Sequence, residues 1–377
     1  MVKTTSTSLT LSWSLWFWSS SGAEAFDGKK AMSTPITSVE DLAKTSSSMR
    51  SRFEVLAMRI QKELCDQLEE LEEKHETFEV GAANKEAVKF MVDRWDRKDG
   101  HGGGITCVLE DGRVFERAGV NISVIGGKLP VAAAAQMRSR GKELKPLPGD
   151  EGLPYSVVGI SCIIHPRNPN VPTLHFNFRF FEVQEWDESR NKTKKTCWFG
   201  GGIDLTPYIL FEEDAIHFHK TIKSACDGGG DKSLYPKFKK WCDDYFYLPH
   251  REEHRGVGGI FFDDLDKPDH ETVFKFVKRN AEAISQSYIP IIQRRKNLGY
   301  SYANRQWQLY RRGRYVEFNL VHDRGTKFGL LTPGSRTESI LVSLPPEAKW
   351  KYSHSPEPGS KEHQLMQILK NPREWVD

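Results

Sequence analysis

Between Leu174 and Phe180 the chain reads LHFNFRF. Side chains along a strand alternate between faces with period two. The spacing predicts Leu174, Phe176, Phe178 and Phe180 on one face and His175, Asn177 and Arg179 on the other. The second face offers a proton carrier, an amide and a guanidinium fork in one row. Imidazole exchanges protons near neutral pH, and a guanidinium grips a carboxylate through two parallel hydrogen bonds. That row suits proton transfer on an anionic molecule. Upstream, GISCIIHP puts Ser161 and His165 on one face of a neighbouring strand, across a proline-rich turn containing Pro166, Asn168, Pro169 and Pro172. The plain alternative is an antiparallel sheet with one wet face.

The run Arg311–Ser343 is dense in arginine and alternates like a buried sheet. Such a sheet suits an anionic ligand, or else a salt-bridged edge strand. Strands are predicted over 105–110, 121–125, 156–165, 174–185, 194–199, 259–263, 315–322 and 339–344. Helical spacing of Phe53, Leu56, Ala57, Ile60, Leu64, Leu68 and Leu71 predicts a helix over 49–75. Further helices are expected over 85–95, 212–224, 236–246, 271–289, 302–311 and 361–369. Strands cluster rather than alternate strictly with helices, so the fold class expected is α+β with a mostly antiparallel sheet. Asp99–Gly104 reads as a turn and lacks the GK[ST] ending of a phosphate loop.

The chain has 377 residues, 28% of them charged and 38% hydrophobic, with a net charge of only +3. Nothing there suggests a nucleic-acid partner. Six scattered cysteines without a CxxC pair read as reduced thiols rather than a disulfide frame or zinc site. The N-terminus departs from the rest. Lys3, the short apolar run Leu9–Trp18 and Ala23-Glu24-Ala25 before Phe26 have the layout of a signal peptide. The run is too short to span a membrane, so no integral membrane segment is expected in the mature chain. A Lys- and Ser-rich, acid-poor stretch follows. Residues 1–44 are therefore read as a targeting leader and 45–377 as the folded domain.

These strings, with WFGGGIDLTPY (Trp198–Tyr208), KFKKWCDDYFYLPHREEHRGVGGIFFDDL (Lys237–Leu265) and the arginine-rich run, closely resemble the oxygen-dependent coproporphyrinogen III oxidases. The resemblance runs from about Met49 to Asp377. It implies a single domain with a large antiparallel sheet, helices on both faces, and a homodimer. It also implies oxidative decarboxylation of two propionates of coproporphyrinogen III to vinyls, giving protoporphyrinogen IX, with O2 as co-substrate. Carried over residue by residue, Ser161, Asn177, Phe178, Arg179, Gly334, Ser335 and Arg336 are the substrate-contacting positions, and His175 is the proton donor. Asp204, inside GGGIDLTP, is expected to accept pyrrole N–H bonds or take an N–H proton; a turn or helix-cap carboxylate is the plain alternative. Arg255, Arg314 and Arg324 either add positive field or form structural ion pairs.

No flavin, haem or nicotinamide is implied, because the substrate supplies the electrons, and no GxGxxG follows a strand. No metal ligand is assigned. His165, His175, His219 and His250 nevertheless match metal-ligand positions of some bacterial members, so a metal requirement stays open. His250 and His254 have helical i, i+4 spacing without the adjacent glutamate of a zinc motif. His322 stands where related sequences usually carry Tyr or another aromatic. Segments 116–125 and 315–351 resemble the family's dimer contacts. The leader resembles the bipartite leaders of plastids bounded by extra membranes; a mitochondrial presequence is the alternative. A tetrapyrrole carrier and a metal-dependent oxygenase are the rival functions.

Overall fold

A computed structural model describes residues 26–75, 87–129, 144–149, 152–331 and 334–376. Seven strands form one antiparallel sheet: β1 (Met91–Asp96), β2 (Gly102–Glu110), β3 (Phe115–Leu129), β4 (Leu153–Pro166), β5 (Thr173–Asp187), β6 (Lys192–Thr206) and, paired beyond β6, β9 (Gly259–Leu265). Between β6 and β9 lie α3 (Glu212–Asp227), α4 (Leu234–Tyr245) and the two-residue strands β7 (Tyr247–Leu248) and β8 (Glu253–His254). Before the sheet come α1 (Val39–Lys44) and α2 (Met49–Glu73). After it come α5 (His270–Arg295), α6 (Tyr302–Glu317), a π-helical turn at Phe318–His322, α7 (Arg324–Leu331), α8 (Thr337–Leu341) and α9 (Lys361–Lys370).

The sheet is two-faced because its strands alternate. Phe176, Phe178 and Phe180 point to one side, where with Ile105, Val120, Ile160 and Ile203 they meet Leu64 and Leu68 of α2, Phe218 and Ile222 of α3, and Val277 and Ile284 of α5. Ser48 caps α2 by accepting from the Ser51 amide, and Asp269 caps α5 by accepting from Thr272. Phe53 of α2 sits with its ring centroid 6.5 Å from Phe180 and 6.1 Å from Phe199. The other side is polar along β4–β6 and is roofed by the C-terminal elements. Ser339 of α8 reaches Thr106 Oγ1 at 2.7 Å, and Asn121 Nδ2 donates to the Ser339 carbonyl at 3.1 Å. The α+β class, the antiparallel sheet and helices on both faces thus match expectation.

Several expectations do not hold. Of the helix expected over 85–95, residues 87–90 are irregular and 91–95 lie in the edge strand β1; the backbone of Met91–Asp96 pairs with β2, and that pairing outweighs a pattern compatible with both periods. The strands expected over 315–322 and 339–344 are helical: α6 runs through Glu317, and residues 337–341 form α8. Arginine is a good helix former, and the guanidinium groups of α6 find carboxylates inside the protein. Arg311 donates to Glu253 at 2.6 Å, Arg314 to Glu317 at 3.1 Å, and Arg312 pairs with Glu116. The fold also starts before residue 45. Phe26, Met32 and Ile36 pack on the core, Leu42 is buried, and Thr37 hydrogen-bonds Glu54. The signal-like part of the leader lies outside the described residues. Asp99–Gly104 is a turn only to His101; Gly102 already begins β2, and a Cβ on Gly104 would meet the Trp95 ring at 2.4 Å.

Candidate active site

The antiparallel register assembles the polar face. Ser161 on β4 lies opposite Asn177 on β5, and Asn177 opposite Gly202 on β6. One pleat along, His175 lies opposite Asp204; one pleat the other way, Arg179 lies opposite Gly200. Opposed residues share a face, so all these side chains look the same way. GGGIDLT is strand rather than turn. A Cβ on Gly200 would sit 2.8 Å from the Arg179 guanidinium, so glycine there gives the arginine its room.

His175 Nδ1 is 2.7 Å from Asp204 Oδ1, and Arg255 Nη2 donates to Asp204 Oδ2 at 2.7 Å. Both carboxylate oxygens are thus engaged, and Asp204 is only 2% exposed. Burial alone would raise its pKa, but the charges of Arg255 and His175 outweigh it and hold the carboxyl below its ordinary value. Asp204 is therefore ionised at neutral pH, with one oxygen on His175 and the other on Arg255. Asp204 orients the imidazole, leaving Nε2 without a partner among the described residues. Arg255 is itself caged: its guanidinium carbon is 4.1 Å from the Phe246 ring centroid, 4.4 Å from Tyr315 and 4.8 Å from Phe318, and Nη1 donates to Asn319 at 2.9 Å.

Arg179 is aimed along the same face. Its Nη1 donates to Asn177 at 2.9 Å, and Asp263 on β9 holds Nη2 at 2.9 Å. Arg324 of α7 shares Asp263 at 3.3 Å. Of the other expected contacts, Ser161 is exposed on the face, whereas the Phe178 side chain is buried in the core and can offer only backbone. Gly334 is exposed with φ +75, and Ser335 is half-buried. Arg336 precedes α8 and pairs with Asp93 on β1. Asp93, Thr106, Asn121, Ser161 and Asn177 form one transverse row, so Arg336 stands four strand spacings from the Asn177 row, roughly 19 Å. The structure therefore brings Ser161, His175, Asn177, Arg179 and Asp204 together and puts Arg336 at the far end of the face.

A sequence profile of the coproporphyrinogen III oxidase family matches residues 52–375. The chain belongs to this family. It is 54% identical over 365 residues to the oxygen-dependent coproporphyrinogen-III oxidase of Drosophila melanogaster, covering 94% of this chain and 87% of that protein. It is 54% identical over 345 residues to the mitochondrial oxygen-dependent coproporphyrinogen-III oxidase of Rattus norvegicus, covering 92% and 73%. It is 47% identical over 332 residues to coproporphyrinogen-III oxidase 1, chloroplastic, of Arabidopsis thaliana, covering 88% and 81%.

The four histidines considered from the sequence as metal ligands are apart here. His165 is buried and lies 3.0 Å from the Ser343 carbonyl, His175 faces Asp204, His219 lies between Tyr235 and the Val257 carbonyl, and His250 meets Glu317. Among the described residues no group of three or more His, Cys, Asp or Glu side chains could hold a metal ion. His254 is in β8 rather than on a helix with His250, and its Nδ1 bonds the Leu369 carbonyl at 2.8 Å. Sequence reasoning missed Asp263 and the specific role of Arg255. Asp263 was within reach, since Gly259, Phe261 and Asp263 alternate onto the face that carries Asp204. Arg255 sits in an irregular link with no period to read.

His219 yields a pH prediction. Burial depresses its pKa to about 3, which outweighs the hydrogen bond to Val257. Its folded value lies below the unfolded one, so its contribution is fully present above about pH 6.5 and is lost as pH falls towards 3. The His219→Gln variant should lose stability less steeply over that window, by about 1.4 kcal/mol per pH unit. Urea unfolding at several pH values checks this; parallel acid limbs would refute it.

Proposed function

We propose that the His175–Asp204 pair carries the proton transfers by which this chain converts coproporphyrinogen III to protoporphyrinogen IX with dioxygen. The observation behind this reading is the ionised, buried Asp204 locked on His175 Nδ1, with Arg179 on the same face. The substrate is an electron-rich macrocycle with ionised propionates. Arg179 grips one propionate and Ser161 and Asn177 add hydrogen bonds; Gly334, Ser335 and Arg336 engage another at the far end. Loss of a pyrrole N–H proton makes the ring rich enough to react with dioxygen. The peroxide formed on the ring removes hydrogen from the adjacent propionate chain. The carboxyl leaves as carbon dioxide, dioxygen leaves as hydrogen peroxide, and a vinyl group remains. His175 Nε2 exchanges the proton, and Asp204 stabilises the imidazolium in a site where little water screens the pair. The electrons come from the substrate, so no further cofactor is required.

Metal-stripped protein in air should convert coproporphyrinogen III, followed as protoporphyrin fluorescence after oxidation. His175→Ala and Asp204→Ala should lower kcat by roughly 10²–10⁴-fold while still binding product. Near-normal turnover in either variant removes that residue from the mechanism. Turnover that returns only with added transition metal makes the chain a metal-dependent oxygenase, and binding without turnover makes it a carrier.

We further propose a homodimer and a plastid address. Of the two segments that resemble dimer contacts, 116–125 lies inside β3 and is mostly buried, whereas 315–351 exposes Leu320, Val321, Phe328 and Leu331, the last at 82%. That apolar surface supports a self-association face. Wild-type protein should sediment as a dimer and Leu331→Glu largely as a monomer; a monomeric wild type would reject the dimer. The apolar run Leu9–Trp18 and the small-x-small step before Phe26 support import across an extra membrane. The leader fused to a fluorescent protein should mark plastids in a plastid-bearing cell, and labelling of mitochondria would reverse the assignment.

A further inference from the structure

The π-helical turn ends on a cluster that the proposed chemistry does not use. Asp323 N donates back to the Phe318 carbonyl at 2.9 Å, the five-residue step that defines the turn. This swings His322 against the loop after β7. His322 Nε2 lies 3.1 Å from His250 Nδ1, with ring centroids 5.1 Å apart and planes inclined by 25°. The other nitrogen of His250 lies 2.8 Å from Glu317 Oε2. Glu317 is fixed in turn by Arg251, Arg314 and the Trp350 indole N–H. The Phe246 and Phe318 rings stand between this cluster and His175.

We propose that His250 Nδ1 and His322 Nε2 form a two-imidazole site for a divalent transition ion of the zinc, nickel or copper class. Metal–imidazole bonds of about 2.0–2.1 Å put two ligand nitrogens about 2.9 Å apart at a right angle and about 3.4 Å apart at the tetrahedral angle. The 3.1 Å separation falls between these values. Glu317 on the far nitrogen of His250 is the carboxylate that metal-bound imidazoles use to fix their tautomer and raise their basicity. A pair made only of imidazole selects these ions over magnesium or calcium, which take oxygen. The His250 side chain is 41% exposed, so the ion can enter from solvent and water fills its remaining positions.

Without metal, a single proton is shared between the two facing nitrogens. Metal binding needs both lone pairs, so that proton moves to the far nitrogen of its own ring, which keeps each imidazole neutral. Arg251 and Lys327 place positive charge nearby, and Glu317 offsets part of it. A bound ion ties the π-turn to the loop after β7 and stabilises the fold by mass action. It feeds nothing into the oxidation.

The test is calorimetric titration of the metal-stripped full chain with Ni2+ and Zn2+, with Mg2+ as control, alongside thermal melting. Wild type should bind one more equivalent of Ni2+ or Zn2+ than His322→Tyr, and its Tm should rise with Ni2+ where that of the variant does not. His322→Tyr keeps an aromatic ring, and His322→Gln serves as a second variant should the first fail to fold. Glu317→Gln should weaken the same equivalent roughly tenfold or more. Cu2+ bound to wild type should show nitrogen splitting in its electron paramagnetic resonance spectrum that His322→Gln loses. Equal stoichiometry and equal melting shifts in wild type and both His322 variants would overturn the site, whatever the turnover assays show.

Discussion

One buried charge pair organises this molecule. Asp204 and Arg255 are each 2% exposed. Removing two such charges from water costs several kcal/mol per ion unless geometry and hydrogen bonds are nearly complete. Here both carboxylate oxygens and both terminal guanidinium nitrogens are engaged: Asp204 meets His175 and Arg255, and Arg255 donates to Asn319 and lies against three aromatic faces. Meeting those demands draws together β5, β6, the link before β9, α6 and the π-turn. The polar sheet face and the helical roof therefore meet beside His175.

The arginines divide by what they meet. Arg255, Arg311, Arg312 and Arg314 are buried and paired with internal carboxylates, so they hold the roof in place. Arg179 and Arg336 are more accessible, with side-chain exposures of 33% and 38%, and each is balanced by one aspartate. A carboxylate ligand can approach these two guanidinium groups directly, and Arg324 still pairs with the buried Asp263 when it does. Burial, more than residue type, separates structural guanidinium groups from those available to a substrate.

How far the sequence could be read followed from how local each signal was. The LHFNFRF alternation depends only on neighbouring residues, and β5 has the faces it predicts, greasy below and polar above. The long helix α2 and the antiparallel class were legible for the same reason. The arginine-rich run misled because a period-two reading fitted a stretch whose buried arginines are spaced for a helix; their carboxylate partners Glu116 and Glu253 are distant in sequence. Asp204 was found, but not its orientation, because that depends on Arg255 arriving from 51 residues downstream. Contacts formed by irregular links carry no period, and there the reading from residues alone ran out.

The strand order has a consequence for biogenesis. Strands β1 to β6 are neighbours in sequence as well as in space, so the sheet can grow by adding one hairpin at a time as the polypeptide is made. Asp204 and His175 can meet as soon as β6 pairs with β5. Arg255 and β9 are synthesised later. Until they arrive, the carboxylate has no strong cation beside it, and desolvating it would be costly. The β6 edge is therefore held open to water during synthesis, and closure awaits the segment that carries the counter-charge. A nascent chain stalled before residue 255 would hold Asp204 in a hydrated, unfinished cleft beside an unpaired β6 edge, a form vulnerable to edge-to-edge association.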